Sequence, residues 1–145
     1  MQNKLVKAYH IANTYDVSTK INCAVVYSVS YMPNNKNKDD AKQYVTNTPN
    51  AMMLDDTPCG KALISLGLDG RVDEVKQEIT QIWHIASSRY IKEAKGNITA
   101  FVTGADIRST FCTTELHEIL NNPQITHINN EDKYTFAQNF IPQKY

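Results

Sequence analysis

Three short segments hold side chains that a scaffold alone does not need. Leu54-Asp55-Asp56-Thr57 sets two carboxylates side by side at a loop-to-helix junction. Trp83-His84-Ile85-Ala86-Ser87-Ser88-Arg89-Tyr90 places an indole and a hydroxyl four residues apart, so a helix would put Trp83 and Ser87 on one face. Ser109-Thr110-Phe111-Cys112-Thr113-Thr114-Glu115 gathers several hydroxyls and one carboxylate after a glycine turn at Gly104. A carboxylate can face a positive charge, an indole can stack on a flat ring, and hydroxyls can hold a polar ligand.

The elements that must position these groups follow from periodicity and turn chemistry. Residues 72–95 contain no Gly or Pro. Val75, Ile79, Ile82, Ala86, Tyr90 and Ala94 recur there at steps of three and four, which predicts an amphipathic helix. Asp73 and Glu74 suit its first turn, Lys92 and Lys95 its last, and Gly96 its C-terminal cap. Residues 97–103 are rich in β-branched side chains and predict a buried strand. A helix running straight into a strand is half of a βαβ unit, so a parallel or mixed sheet is expected. The Ser109–Glu115 segment then lies beyond the carboxyl end of a strand, where open α/β sheets bind ligands.

Elsewhere the pattern predicts a short helix over 3–14, a strand within 22–32 ended by Pro33, and a turn or two of helix over 39–45. A short apolar helix is expected over 61–66, with a Gly67/Gly70 turn after it. Further strands are expected at 125–128 and near 134–140, and a short helix over 115–120. The expected architecture is α/β: a mainly helical N-terminal part packed on a small C-terminal parallel or mixed sheet with flanking helices. The chain reads as one catalytic domain over 1–145, with a helical lobe and active-site loop in 1–70 and an α/β lobe in 71–145.

Composition narrows the function classes. Fifteen Lys plus Arg balance fifteen Asp plus Glu, so the basic excess of a nucleic-acid binder is missing. The longest apolar runs are too short to cross a bilayer, and residues 1–4 open no hydrophobic leader. Export would need a longer precursor or another route. Cys23, Cys59 and Cys112 are widely spaced, form no Cys-x-x-Cys pair and read as reduced thiols. His10, His84, His117 and His127 form no ligand cluster, and no metal is expected. Gly-x-Ser-x-Gly, Walker, Gly-x-Gly-x-x-Gly and His-Glu-x-x-His motifs are all missing.

The ordered set of segments resembles the ADP-ribosyl cyclase / NAD glycohydrolase family over roughly residues 54–128. The matching stretches are Leu54-Asp55-Asp56-Thr57-Pro58-Cys59-Gly60, Trp83-x-x-x-Ser87-x-Arg89-Tyr90-x-x-Glu93-Ala94 and Ser109-Thr110-Phe111-x-x-x-Glu115. In that family a glutamate ends the Ser-Thr-Phe stretch and is catalytic, which the resemblance carries to Glu115. Here Asp55 stands where the family has Glu, and no disulfide-rich loop separates Gly60 from Trp83. The family's second, upstream tryptophan is missing, with Tyr27 or Tyr31 available to replace it. The compact, disulfide-poor form is similar to toxin domains at the C-termini of large bacterial contact-dependent or polymorphic toxins.

The resemblance implies cleavage of NAD or NADP as substrate, with no separate cofactor. Nicotinamide leaves a ribosyl oxocarbenium ion as a neutral molecule, so one carboxylate to face the cation suffices and no general acid is needed. Glu115 takes that role; its alternative is a surface glutamate on a short helix. Trp83 either stacks on the nicotinamide or packs in the core. Ser87 either reaches the ribose or stands idle. Thr110 and the backbone at Phe111 would hold the pyrophosphate, with Arg108 adding charge or lying solvated. Asp55 and Asp56 either accept from the nicotinamide amide or cap the following helix. The implied setting is the cytoplasm of a target cell, reached as the C-terminal domain of a larger secreted toxin, with an immunity protein as partner. A non-catalytic nucleotide-binding module and an ADP-ribosyltransferase are the alternatives.

Overall fold

The computed structural model describes residues 2–28, 36–68 and 76–144. Tyr31, Pro33, Gly70 and positions 72–75 of the sequence reading lie outside them. The described chain runs α1 (Gln2–Thr14), β1 (Ala24–Tyr27), α2 (Lys36–Asn47) and β2 (Met52–Met53). A 3-10 turn (Leu54–Asp56), α3 (Pro58–Ser65), α4 (Lys76–Glu93) and β3 (Gly96–Phe101) follow. A π turn (Phe111–Glu115) leads into α5 (Leu116–Asn121), then β4 (Ile125–Ile128), β5 (Glu131–Asp132) and α6 (Lys133–Asn139).

The sheet order is β2-β1-β3-β4-β5, parallel except for the β4–β5 pair. This is the mixed sheet expected from a helix feeding a strand. Its first two strands come from the N-terminal half. Strand alternation sorts side chains to two faces. Ala24, Val26, Ile98 and Ala100 join the larger core, which also holds Ala8 and Ala12 of α1, Leu63 of α3, and Ile82, Ala86 and Ile91 of α4. Val25 and Met53 point the other way, toward Ala41 of α2.

Local chemistry fixes the ends of these elements. Gly96 has φ +80°, and a Cβ there would sit 2.1 Å from Asn22 Oδ1, so only glycine fits where α4 turns into β3. Asn122 Nδ2 donates to the carbonyls of Ile91, Lys92 and Ala94 and closes the C-terminal end of α4. Arg89, from the middle of α4, donates to the carbonyls of Ala12 and Tyr15 and ties α1 to α4. Tyr90 is 1% exposed, and its hydroxyl accepts from Val25 N–H at 2.9 Å and lies 2.6 Å from the Met52 carbonyl. One phenol thus joins α4 to β1 and β2. Tyr90→Phe leaves buried backbone groups unsatisfied and should lower unfolding free energy by roughly 1–3 kcal/mol in a urea titration.

Two expectations change. Residues 134–140, read as a strand, form helix α6 and its C-terminal cap. Asp132 accepts from the N–H groups of Tyr134 and Thr135 and starts the helix. Four residues apart, Phe136 and Phe140 stack at 5.6 Å, and Phe140 meets the Phe111 ring edge-on at 5.5 Å. The β4–β5 hairpin was not foreseen: its two-residue turn is Asn129-Asn130, both at positive φ, the geometry such hairpins favour. Helix α3 is longer than its sequence signal because it begins at Pro58 behind its cap Thr57, and α2 also runs beyond 39–45, over Lys36–Asn47.

Candidate active site

The carboxyl ends of β1, β2 and β3 bring three of the foreseen groups together. Glu115 arrives from the segment after β3, Asp55 from the turn after β2, and Ser87 from the middle of α4. Glu115 is 7% exposed, buried for a carboxylate. Burial is the largest influence on it and raises its pKa; a hydrogen bond with Ser87 opposes this, and the Asp55 charge adds to it, leaving the group pushed up to about 7. A surface glutamate on a short helix is therefore not what the fold makes of this residue.

The Ser-Thr-Phe stretch explains how the chain buries an acid. Ser109 Oγ accepts from Cys112 N–H and caps the segment. Phe111 is 1% exposed and packs on Phe140, anchoring the first turn in the core. The Phe111 carbonyl then takes the N–H of Leu116, five residues on, which makes a π turn instead of an α turn. π turns insert one extra residue into a helix and are frequent at functional sites. Here the turn carries Glu115 inward at its last position.

Leu54-Asp55-Asp56-Thr57-Pro58-Cys59-Gly60 also resolves into separate tasks. Thr57, rather than either aspartate, caps α3: its hydroxyl accepts from Gly60 N–H at 3.1 Å and donates to the Leu54 carbonyl at 2.6 Å. Asp56 accepts from Met53 N–H at 3.0 Å and braces the 3-10 turn. Asp55 takes the Tyr27 hydroxyl at 3.1 Å, so Tyr27 at the end of β1 belongs to the site, while Tyr31 lies outside the described residues. A Cβ on Gly60 would stand 2.0 Å from the Leu54 carbonyl oxygen. Gly60→Ala must push the aspartate turn away from α3, and calorimetry should show a loss of about 3 kcal/mol.

Trp83 lies one helical turn from Ser87 on α4, half-buried against the main core. Its indole N–H donates to the Leu68 carbonyl at 2.8 Å, which fixes the plane of the ring. Thr110 turns to His84: its hydroxyl lies 3.3 Å from Nε2, while Thr114 stands 3.4 Å from Nδ1 of the same ring. His84 thus ties α4 to the segment carrying Glu115, a link across elements that sequence spacing cannot show. Arg108 forks onto Asp106, at 2.8 Å and 3.0 Å, and Asp106 is fully buried. Phe111 contributes its ring to the core and its backbone to the π turn.

An open groove of about 910 Å³ runs along α4 past Asn13, His84, Ser88, Arg89 and Lys92; neither Glu115 nor Ser87 lines it. Among the described residues, no cluster of three His, Cys, Asp or Glu could hold a metal ion, and no helix is long and apolar enough to cross a membrane. The described thiols Cys23, Cys59 and Cys112 are all free.

No family model matches the chain, and no curated protein matches its sequence. Solved structures do match. A Glu-to-Ala variant of ADP-ribosyl cyclase is 19% identical with a TM-score of 0.55, over 87% of this chain and 62% of that one. Aplysia cyclase, solved with the substrate NGD and the product cGDPR, is 17% identical with a TM-score of 0.57, again over 87% and 62%. This chain has the ADP-ribosyl cyclase fold. Porcine CD38, complexed with a covalent intermediate, ribo-F-ribose-5'-phosphate, is 19% identical with a TM-score of 0.50, over 80% of this chain and 63% of that one. The chain spans about six-tenths of the length of these proteins with the ADP-ribosyl cyclase fold.

Proposed function

We propose that the protein is an NAD(P) glycohydrolase, with Glu115 as its catalytic carboxylate. One observation carries the reading: a buried acid at the carboxyl edge of a parallel sheet, its ionisation shaped by burial, by the Ser87 hydroxyl and by the Asp55 charge. The solved neighbours add support. One was captured with the substrate NGD, another with a covalent intermediate.

In the reaction, the bond between the ribose C1′ and the nicotinamide nitrogen breaks heterolytically. Both electrons go to the nitrogen, which cancels the pyridinium charge, so nicotinamide departs neutral. The cation left on C1′ and the ring oxygen faces the Glu115 carboxylate, in surroundings where charge stabilisation is far stronger than in water. Water then adds at C1′ and loses a proton, giving ADP-ribose. Ser87 fixes the carboxylate, and Trp83 offers its face to the charged ring. Asp55 accepts from the carboxamide, and Asp56 holds the turn that presents Asp55. In this reading Thr110, the backbone at Phe111 and Arg108 would hold the pyrophosphate.

The biological reading is a toxin domain that drains the dinucleotide pool in the cytoplasm of a target cell. It would travel as the C-terminal domain of a larger secreted toxin, with an immunity protein as its partner. The test is the product profile after incubation with NAD and with NADP. Nicotinamide together with ADP-ribose, and a minor cyclic ADP-ribose peak, supports the reading. Label transferred from NAD onto protein would make it an ADP-ribosyltransferase. Binding with no product would make it a nucleotide-binding module.

A further inference from the structure

We infer that Tyr27 is a positioning residue of the proposed site: its hydroxyl holds the Asp55 carboxylate beside Glu115. The inference rests on the glycohydrolase reading for its effect on turnover. Its geometry is independent of that reading.

The two adjacent aspartates have different fates. Asp56 is bound by the backbone of its own turn, at Met53 N–H. Asp55 is instead held from another element, by a hydroxyl at the end of β1. The Tyr27 ring is itself fixed, because it packs beside Tyr44 and Phe101 against the smaller core. A hydrogen bond to a charged acceptor is about twice as strong as a neutral one. Burial and the charges of Asp55, Glu115 and Asp56 push the phenol's ionisation upward, so Tyr27 keeps its proton and stays a donor.

Without this donor, repulsion between two carboxylates in a buried site would drive Asp55 outward to water. With it, an incoming cationic ring meets two fixed negative groups, already assembled before substrate arrives. Preassembled charge costs no reorganisation during the reaction. A phenylalanine at 27 would keep the ring packing and lose only this function.

The experiment is a double-mutant cycle with Tyr27→Phe and Asp55→Ala, read two ways. The first reading is the Glu115 titration by carboxyl carbon NMR, which needs no activity. Tyr27→Phe should lower the Glu115 midpoint by roughly half a pH unit, as Asp55 swings away. In the Asp55→Ala background it should leave the midpoint unmoved. The second reading is NAD turnover: Tyr27→Phe should lower kcat about tenfold and KM little, with less than a twofold effect once Asp55 is gone. Asp55→Asn keeps the side-chain shape of the turn and guards against a folding defect; with the charge gone, Tyr27→Phe should again leave the Glu115 midpoint unmoved. Equal effects of Tyr27→Phe with and without Asp55, in either reading, would overturn the inference. A coupled NMR shift in a protein that releases no nicotinamide would leave the inference standing and refute the glycohydrolase reading.

Discussion

Glu115→Gln is expected to lower NAD turnover about a thousandfold while making the protein more stable above pH 7. The activity loss follows from removing the charge that faces the ribosyl cation; the amide matches the acid in shape but not in charge. The stability gain follows from linkage. Glu115 ionises near 4.5 in an unfolded chain and at about 7 in the folded one, mainly because burial penalises its charge. A raised carboxylate pKa means that the folded state binds the proton more tightly. The unsubstituted chain is therefore most favoured below pH 4.5, loses stability as pH rises toward 7, and carries the whole penalty above it. That penalty is about 3 kcal/mol for a shift of this size. The variant carries no such charge. Its melting temperature should exceed that of the unsubstituted chain by roughly 5 °C or more at pH 8, and the two should converge at pH 4. A variant that is less stable at pH 8 would show that the carboxylate is not buried in solution.

The second large effect is on the pH dependence of the reaction. Cleavage needs Glu115 as an anion. In the free protein half of it is protonated at about pH 7. The profile of kcat/KM, which reports the free protein, should rise with pH to a plateau above 7 and fall about tenfold per unit below it. Bound substrate brings a pyridinium cation next to the carboxylate, which favours the ionised form. The profile of kcat should therefore break at lower pH than that of kcat/KM. Binding at pH 6 should also release protons, measurable as buffer-dependent heat in titration calorimetry. Removing the Asp55 charge with Asp55→Asn should move the kcat/KM break toward acid. A profile flat from pH 5 to 8 would rule out Glu115 as the group that must ionise.

Much of this architecture was legible in the sequence, and the reasons are specific. Helix α4 showed itself through its apolar stripe, and β3 through its run of Asn97-Ile98-Thr99-Ala100-Phe101. Glycine 96 marked the turn between them because no other residue fits there. Strand β4 falls at 125–128, where its apolar ends announced it. Tyr134 to Phe140 misled because aromatic residues favour strands as well as packed helices; what decided it was the cap Asp132, two positions outside the window. Strand β2, only two residues long, has too little pattern to read.

The site divides in the same way. Glu115 and Ser87 could be named because a motif fixes their spacing, and the fold does join them. The π turn could not be read, since it depends on where Phe111 finds room in the core. Tyr27 with Asp55, and His84 with Thr110 and Thr114, are contacts between distant segments. No local spacing encodes them: the sheet order, which sets β1 beside β2, brings Tyr27 to Asp55, and the packing of α4 on the π turn brings His84 to Thr110 and Thr114.

The most direct check follows nicotinamide by chromatography while purified protein, in catalytic amount, is held with NAD at pH 8. Nicotinamide should accumulate in step with loss of NAD through many turnovers, and Glu115→Gln, folded and more stable, should release almost none. Intact NAD after prolonged incubation with the unsubstituted protein, or equal release by both proteins, would contradict the role given to this buried carboxylate.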